Sequence, residues 1–67
     1  MPKLHSSRHI ILTLEKNDFY FVFQRGSHIK MRKEKWTVIV PANKRGIPIG
    51  TFRSILRQSD LNSDDFL

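Results

Sequence analysis

The sequence predicts a small α+β fold in which one helix, three antiparallel strands and a second helix follow in that order. Three observations carry this reading. Apolar residues recur at helical spacing near both ends, as Ile10, Ile11 and Leu14 and then as Phe52, Ile55 and Leu56. Between them lie three segments rich in aromatic and β-branched side chains, the composition of strands. Short turns at Gly26-Ser27 and Glu34-Lys35 join those segments, which is the spacing of hairpins. An amphipathic helix at each end of a hairpin-built sheet leads to two helices on one face of it.

Each element has its own justification. Ser6 is a good N-cap, and the apolar stripe of the first helix runs to about Lys16, with Leu12 lying off it. Asn17-Asp18 breaks that helix. Phe19 to Gln24 forms the first strand, and a period of two puts Phe19, Phe21 and Phe23 on one face, most simply the core. Gly26 supplies the positive φ that a hairpin turn often needs. In the second strand His28, Lys30 and Arg32 share one face while Ile29 and Met31 share the other. Trp36 to Val40 is the most apolar strand, and so is expected to be central, and Pro41 stops it. Ala42 to Gly46 reads as a polar, basic loop. The second helix is expected to start near a Gly50 or Thr51 cap, with Arg53 and Arg57 as an i, i+4 cationic edge. Asn62 to Asp65 is suited to cap a last turn that ends in Phe66-Leu67.

A chain of 67 residues has room for one core, so residues 1–67 are read as a single domain. There is no cysteine, which excludes a disulfide framework and a cysteine-ligated zinc. The longest apolar run, Phe19 to Phe23, is far below the roughly 18 residues of a membrane span. The start, Met1-Pro2-Lys3-Leu4-His5, lacks the apolar core of a signal peptide. The expectation is a soluble, cytoplasmic protein with no membrane partner.

Charge is unevenly distributed. From Arg25 to Arg57 nine cations face Glu34 alone, whereas the last ten residues carry three acids, Asp60, Asp64 and Asp65. A field concentrated in this way attracts polyanions and speeds encounters with them. His28 opens the strand at the centre of that segment. Imidazole is the side chain whose ordinary pKa lets it both take and give a proton near neutral pH. The six acids form no carboxylate cluster near His28, so the chemistry points away from a metal site and calls for no cofactor.

These elements resemble the HicA toxin family of bacterial and archaeal toxin–antitoxin systems. The matching residues are Ser6 to Ile10, Ile11 and Leu14, then Gln24-Arg25-Gly26-Ser27-His28, Val40-Pro41, and Gly50-Thr51-Phe52-Arg53-Ser54-Ile55-Leu56-Arg57-Gln58. Leu61 to Leu67 is similar to the family's usual ending. The resemblance implies an α-β-β-β-α fold like that of the double-stranded-RNA-binding domain. It also implies ribosome-independent cleavage of mRNA, restrained by a HicB-type antitoxin, with the family's catalytic histidine carried over to His28. The chain departs from the family pattern at Asn43, where many members have a histidine. Asp18 and Asp60 stand where glycine is frequent, and Phe23 where a cation is common.

On this reading His28 is a general base or acid for attack of the RNA 2′-hydroxyl on the adjacent phosphate. Lys30 and Arg32 hold that phosphate, and Arg25, Lys44 and Arg45 follow the flanking backbone. A second proton-transfer group is not singled out among Tyr20, Lys30 and Lys44. Trp36 fits a core role better than base stacking, and Arg53 and Arg57 suit RNA or an antitoxin equally. The toxin alone is expected to be a monomer that enters a larger complex with its antitoxin. Two other classes fit the same residues: a non-catalytic RNA-binding module of this fold, and a protein-interaction domain whose basic face meets an acidic partner.

Overall fold

Ser6 opens the first helix, α1 (Ser7–Lys16), with an extended backbone and a hydroxyl that accepts from the His9 amide at 3.1 Å. That bond satisfies one of the donors a first helical turn leaves unpaired. The computed structural model describes residues 3–67; Met1 and Pro2, which open the start read above against a signal peptide, lie outside them. α1 buries Ile10 and Leu14 completely and Ile11 in part, and it leaves Leu12 exposed. Asn17 closes the helix, its side-chain amide donating to the Thr13 carbonyl at 2.8 Å. Asp18 then takes a left-handed φ of 71° that turns the chain into the sheet.

The sheet consists of β1 (Tyr20–Arg25), β2 (His28–Lys33) and β3 (Trp36–Pro41), all antiparallel and in the order β1-β2-β3. The central strand is therefore β2, not the more apolar β3. Two successive hairpins leave the middle strand of the chain in the middle of the sheet. The apolarity of β3 has another cause: both helices pack against it, and Val38 and Val40 are fully buried there.

The aromatic first strand also departs from expectation. Phe19 is buried just before β1, yet Phe21 and Phe23 are 55% and 45% exposed. The register explains this. Phe21 pairs with Met31, but Phe23 pairs with Lys30, so Val22 is an extra residue, a β-bulge. A bulge breaks the alternation of period two. Phe21 stays on the helix-facing side, at an edge the helices do not reach, and Phe23 is turned to the opposite side.

The second helix, α2 (Ile49–Ser59), starts slightly earlier than a Gly50 or Thr51 cap requires. Pro48 is its N-cap residue, at φ −56°, and the Phe52 amide donates to the Pro48 carbonyl at 2.9 Å. The ring presets a φ compatible with entry into a helix. After Asp60, a 3-10 turn (Ser63–Phe66) is fixed by the Asn62 amide donating to Asp65 Oδ2 at 2.9 Å. It delivers Phe66, which is fully buried and meets Phe52 edge to face at 5.2 Å. Ile10, Leu14, Met31, Val38, Val40, Ile47, Ile55 and Phe66 make the core between the helices and one face of the sheet. The order α-β-β-β-α and the open three-stranded sheet are those of the fold the sequence predicts, and the other sheet face is left to solvent.

Candidate nucleic-acid interface

The free face of the sheet can be read from its register. Residues directly opposite in an antiparallel pair point to the same side. His28 faces Arg25 on β1 and Pro41 on β3; Lys30 faces Phe23 and Ile39; Arg32 faces Tyr20 and Thr37. The three rows form a grid whose middle column is His28, Lys30 and Arg32. Met31, between them in sequence, is fully buried on the other side, as the alternation of β2 requires.

Local structure positions each member. Gly26 turns the chain with a φ of 58°, and the Gln24 side-chain amide donates to its carbonyl at 3.0 Å. That turn places His28 as the first residue of β2, and its side chain is exposed. The Ala42 amide donates to the Ser27 carbonyl at 2.7 Å, which ties the end of β3 to the residue preceding His28. Arg32 Nε donates to the Glu34 carbonyl at 3.1 Å, so its guanidinium is held at the β2–β3 turn. Lys30 Nζ lies 5.5 Å from the centre of the Phe23 ring, within reach of a cation–π contact.

Of the six candidates, His28, Arg25, Lys30 and Arg32 share this face, and Lys44 and Arg45 do not join them. The latter two line a cleft of about 510 Å³ between the start of α1 and the β3–α2 loop, with Arg8, Ile11, Ile29 and Asn43. Ile29 is on the core side of β2, so this cleft opens at the end of the sheet, around the edge from His28. The loop is pinned there because Ser7 Oγ accepts from the Lys44 amide at 2.9 Å. Of the groups suited by type to a second proton transfer, Lys30 and Tyr20 stand on the His28 face, and Lys44 turns to the cleft.

Two residues join these surfaces only in the folded chain. Arg8 joins Lys44 and Arg45 only through the tertiary fold; the first 24 residues carry little net charge, so charge patterning does not single it out. A period of two puts Phe23 in the core, and only a bulge, which leaves no clear trace in sequence, turns it outward. Trp36, by contrast, is half-buried against the core, with Lys35 Nζ 5.1 Å from its ring. Arg53 and Arg57 are both exposed on α2, and Arg57 donates to Ser54 Oγ at 3.0 Å.

A second cleft, of about 690 Å³, is lined by Lys3, His5, His9, Arg45 and Phe66 among others. His5 and His9 stack there with ring centres 4.8 Å apart, and His9 Nε2 bonds the Phe66 carbonyl. Partial burial, and then the neighbouring His9, push the His5 pKa down. No group of three or more histidines and acids that could hold a metal ion occurs among the described residues. None of their helices is long and apolar enough to cross a membrane.

The free face of the α-β-β-β-α sheet thus carries a histidine and three cations, Arg25, Lys30 and Arg32. No curated protein matches the chain. The model of a protein family described as the HicA toxin of bacterial toxin-antitoxin does match it, over residues 7–61 of 67, and the chain belongs to that family.

Proposed function

We propose that this HicA-family toxin is a ribosome-independent endoribonuclease that cleaves mRNA with His28 as its proton-transfer group, and that a HicB-type antitoxin inhibits it. The observation that carries the reading is the column His28–Lys30–Arg32 on the free sheet face, with Arg25 beside the histidine. RNA brings its own nucleophile. Removal of the 2′-hydroxyl proton lets that oxygen attack the adjacent phosphorus, and the bond to the 5′ oxygen breaks as that oxygen gains a proton. The products are a 2′,3′-cyclic phosphate and a 5′-hydroxyl.

His28 serves as the base or as the acid in this exchange, a contribution of about 10²–10⁴-fold. Lys30 stands two residues along the strand, roughly 7 Å away, where a phosphate held between them gains charge stabilisation as it becomes pentacoordinate. Arg25 and Arg32 extend the cationic track on either side. Lys44, Arg45 and Arg8 take backbone around the edge of the sheet. An antitoxin that covers this face is expected to present acids to it.

The experiment is incubation of purified wild-type and His28→Ala protein with mRNA, with and without chelator. Cleavage by the wild type, lost in a folded His28→Ala variant, supports the assignment; full cleavage by His28→Ala overturns it. The second reading, an RNA-binding module without catalysis, is favoured by the breadth of the basic face. Under that reading RNA binds with a steep salt dependence but stays intact.

A further inference from the structure

We infer that Phe23, with Tyr20 beside it, is a stacking platform for an unpaired base of the RNA strand whose phosphate sits at His28 and Lys30. This inference rests on the RNA-directed reading above and adds a specificity: single-stranded substrate, gripped by its base as well as by its backbone.

Four observations carry it. Phe23 reaches the free face only because of the bulge at Val22; in a regular strand it would have stayed on the side of Phe21 and Met31. Bulges of this kind commonly re-aim a side chain beside a functional site. Once there, Phe23 is 45% exposed and Tyr20 is 56% exposed, a large fraction for aromatic rings. Both are cross-strand partners of cations in the His28 column, Phe23 of Lys30 and Tyr20 of Arg32. Finally, Lys30 Nζ lies 5.5 Å from the Phe23 ring centre, so an anion at that ammonium is held within one nucleotide's reach of the ring.

Charge selects the occupant. Rings alternating with cations match a polymer that alternates flat bases with phosphates. A second copy of this chain would set Arg25, Lys30 and Arg32 against themselves. A duplex would offer only its backbone, because its bases are already stacked and paired. An acidic protein surface would satisfy the cations but gives the exposed ring faces no comparable partner.

The test separates binding from cleavage. His28→Ala protein, which leaves RNA intact under the proposed mechanism, is titrated with a fluorescent single-stranded oligoribonucleotide, with the same strand carrying abasic positions, and with a hairpin duplex. Adding Phe23→Leu, which keeps an apolar side chain but removes the π face, is expected to weaken single-strand binding by about 5- to 100-fold, the loss typical of one stacked base. Phe23→Tyr is expected to restore it. Neither change should alter the abasic strand or the salt slope, whereas Lys30→Ala should reduce that slope because it removes a phosphate contact.

Unchanged single-strand affinity in Phe23→Leu, or an equal loss on the abasic strand, overturns the platform. If wild-type protein still cleaves mRNA in that case, the endoribonuclease reading stands without it. If wild-type protein cleaves nothing while aromatic-dependent binding holds, the platform stands and the catalytic reading falls.

Discussion

Ser7 and Lys44, thirty-seven residues apart, are joined in both directions: the Ser7 amide donates to the Lys44 carbonyl at 2.9 Å, and Ser7 Oγ accepts from the Lys44 amide at 2.9 Å. The same hydroxyl donates to the Pro41 carbonyl at 2.5 Å, so one buried serine fixes both ends of the turn that follows β3. That turn starts opposite His28 and carries Lys44 and Arg45. Ser7→Ala removes two side-chain hydrogen bonds and leaves their backbone partners to water or to nothing, a cost of about 1–3 kcal/mol. In a domain of this size each kcal/mol lowers Tm by roughly 4–8 °C. Thermal melting monitored by circular dichroism should show that drop, and a melt within a degree of wild type would mean that solvent replaces the clamp.

The two edges of the sheet are treated differently. At β3 the Ile39 amide donates to Gln58 Oε1 of α2 at 3.0 Å, so the helix occupies part of that edge. β1, on the other side, bears exposed Tyr20, Phe21, Val22 and Phe23. An unpaired apolar edge is a template for strand addition. Gln58→Ala is expected to cost about 1 kcal/mol, as the loss of one hydrogen bond, and to increase concentration-dependent self-association, read by light scattering. Gln58→Glu keeps an acceptor at the same reach and should behave nearly as wild type.

Much of this architecture was legible because local chemistry and tertiary packing agree. Ser6 caps the helix it was expected to cap, Asn62 and Asp65 close the last turn, and β2 keeps its strict alternation of cations and apolar residues. The failures share a cause: they depend on neighbours rather than on the segment itself. Composition made β3 look central, but its burial comes from helices on one face, not from strands on both sides. Period two made Phe23 look like core, but the Val22 bulge is a matter of pairing with β2. The free face was half visible for the same reason. The His28, Lys30 and Arg32 column lies within one strand and could be read, while the flanking column of Tyr20, Phe23 and Arg25 needed the register. Charge groups Lys44 and Arg45 with His28, and the path of the loop separates them.

Asp60 ends α2 in the left-handed region, at φ 60° and ψ 23°, with its amide donating to the Leu56 carbonyl at 3.0 Å. Glycine is the residue that takes this conformation without steric cost, and aspartate tolerates it only partly. Asp60→Gly relieves that strain, partly offset by greater freedom of the unfolded chain. A net gain of about 0.5–1 kcal/mol is expected, seen as a higher urea midpoint at an unchanged denaturant slope. Asp60→Val, β-branched in the same position, should move the midpoint the other way.

His5 supplies the pH prediction. Its ring stacks on His9 at 4.8 Å and lies 5.1 Å from Phe52 and 6.2 Å from Phe66, with Lys3 and Arg45 lining the same cleft. Burial first, and then the His9 ring, hold its pKa below the ordinary 6.5, so the fold favours neutral His5. Just below pH 6.5 the unfolded chain therefore binds more protons at this position than the native one. Stability linked to His5 is complete above the unfolded value and is lost as pH falls through the window beneath it. The Phe66 carbonyl bonded by His9 Nε2 belongs to the last turn, so loosening there should come first. Urea midpoints measured from pH 8 down to pH 5.5 should decline in the wild type, and more shallowly in His5→Gln. Parallel profiles for the two proteins would assign the acid sensitivity to other groups.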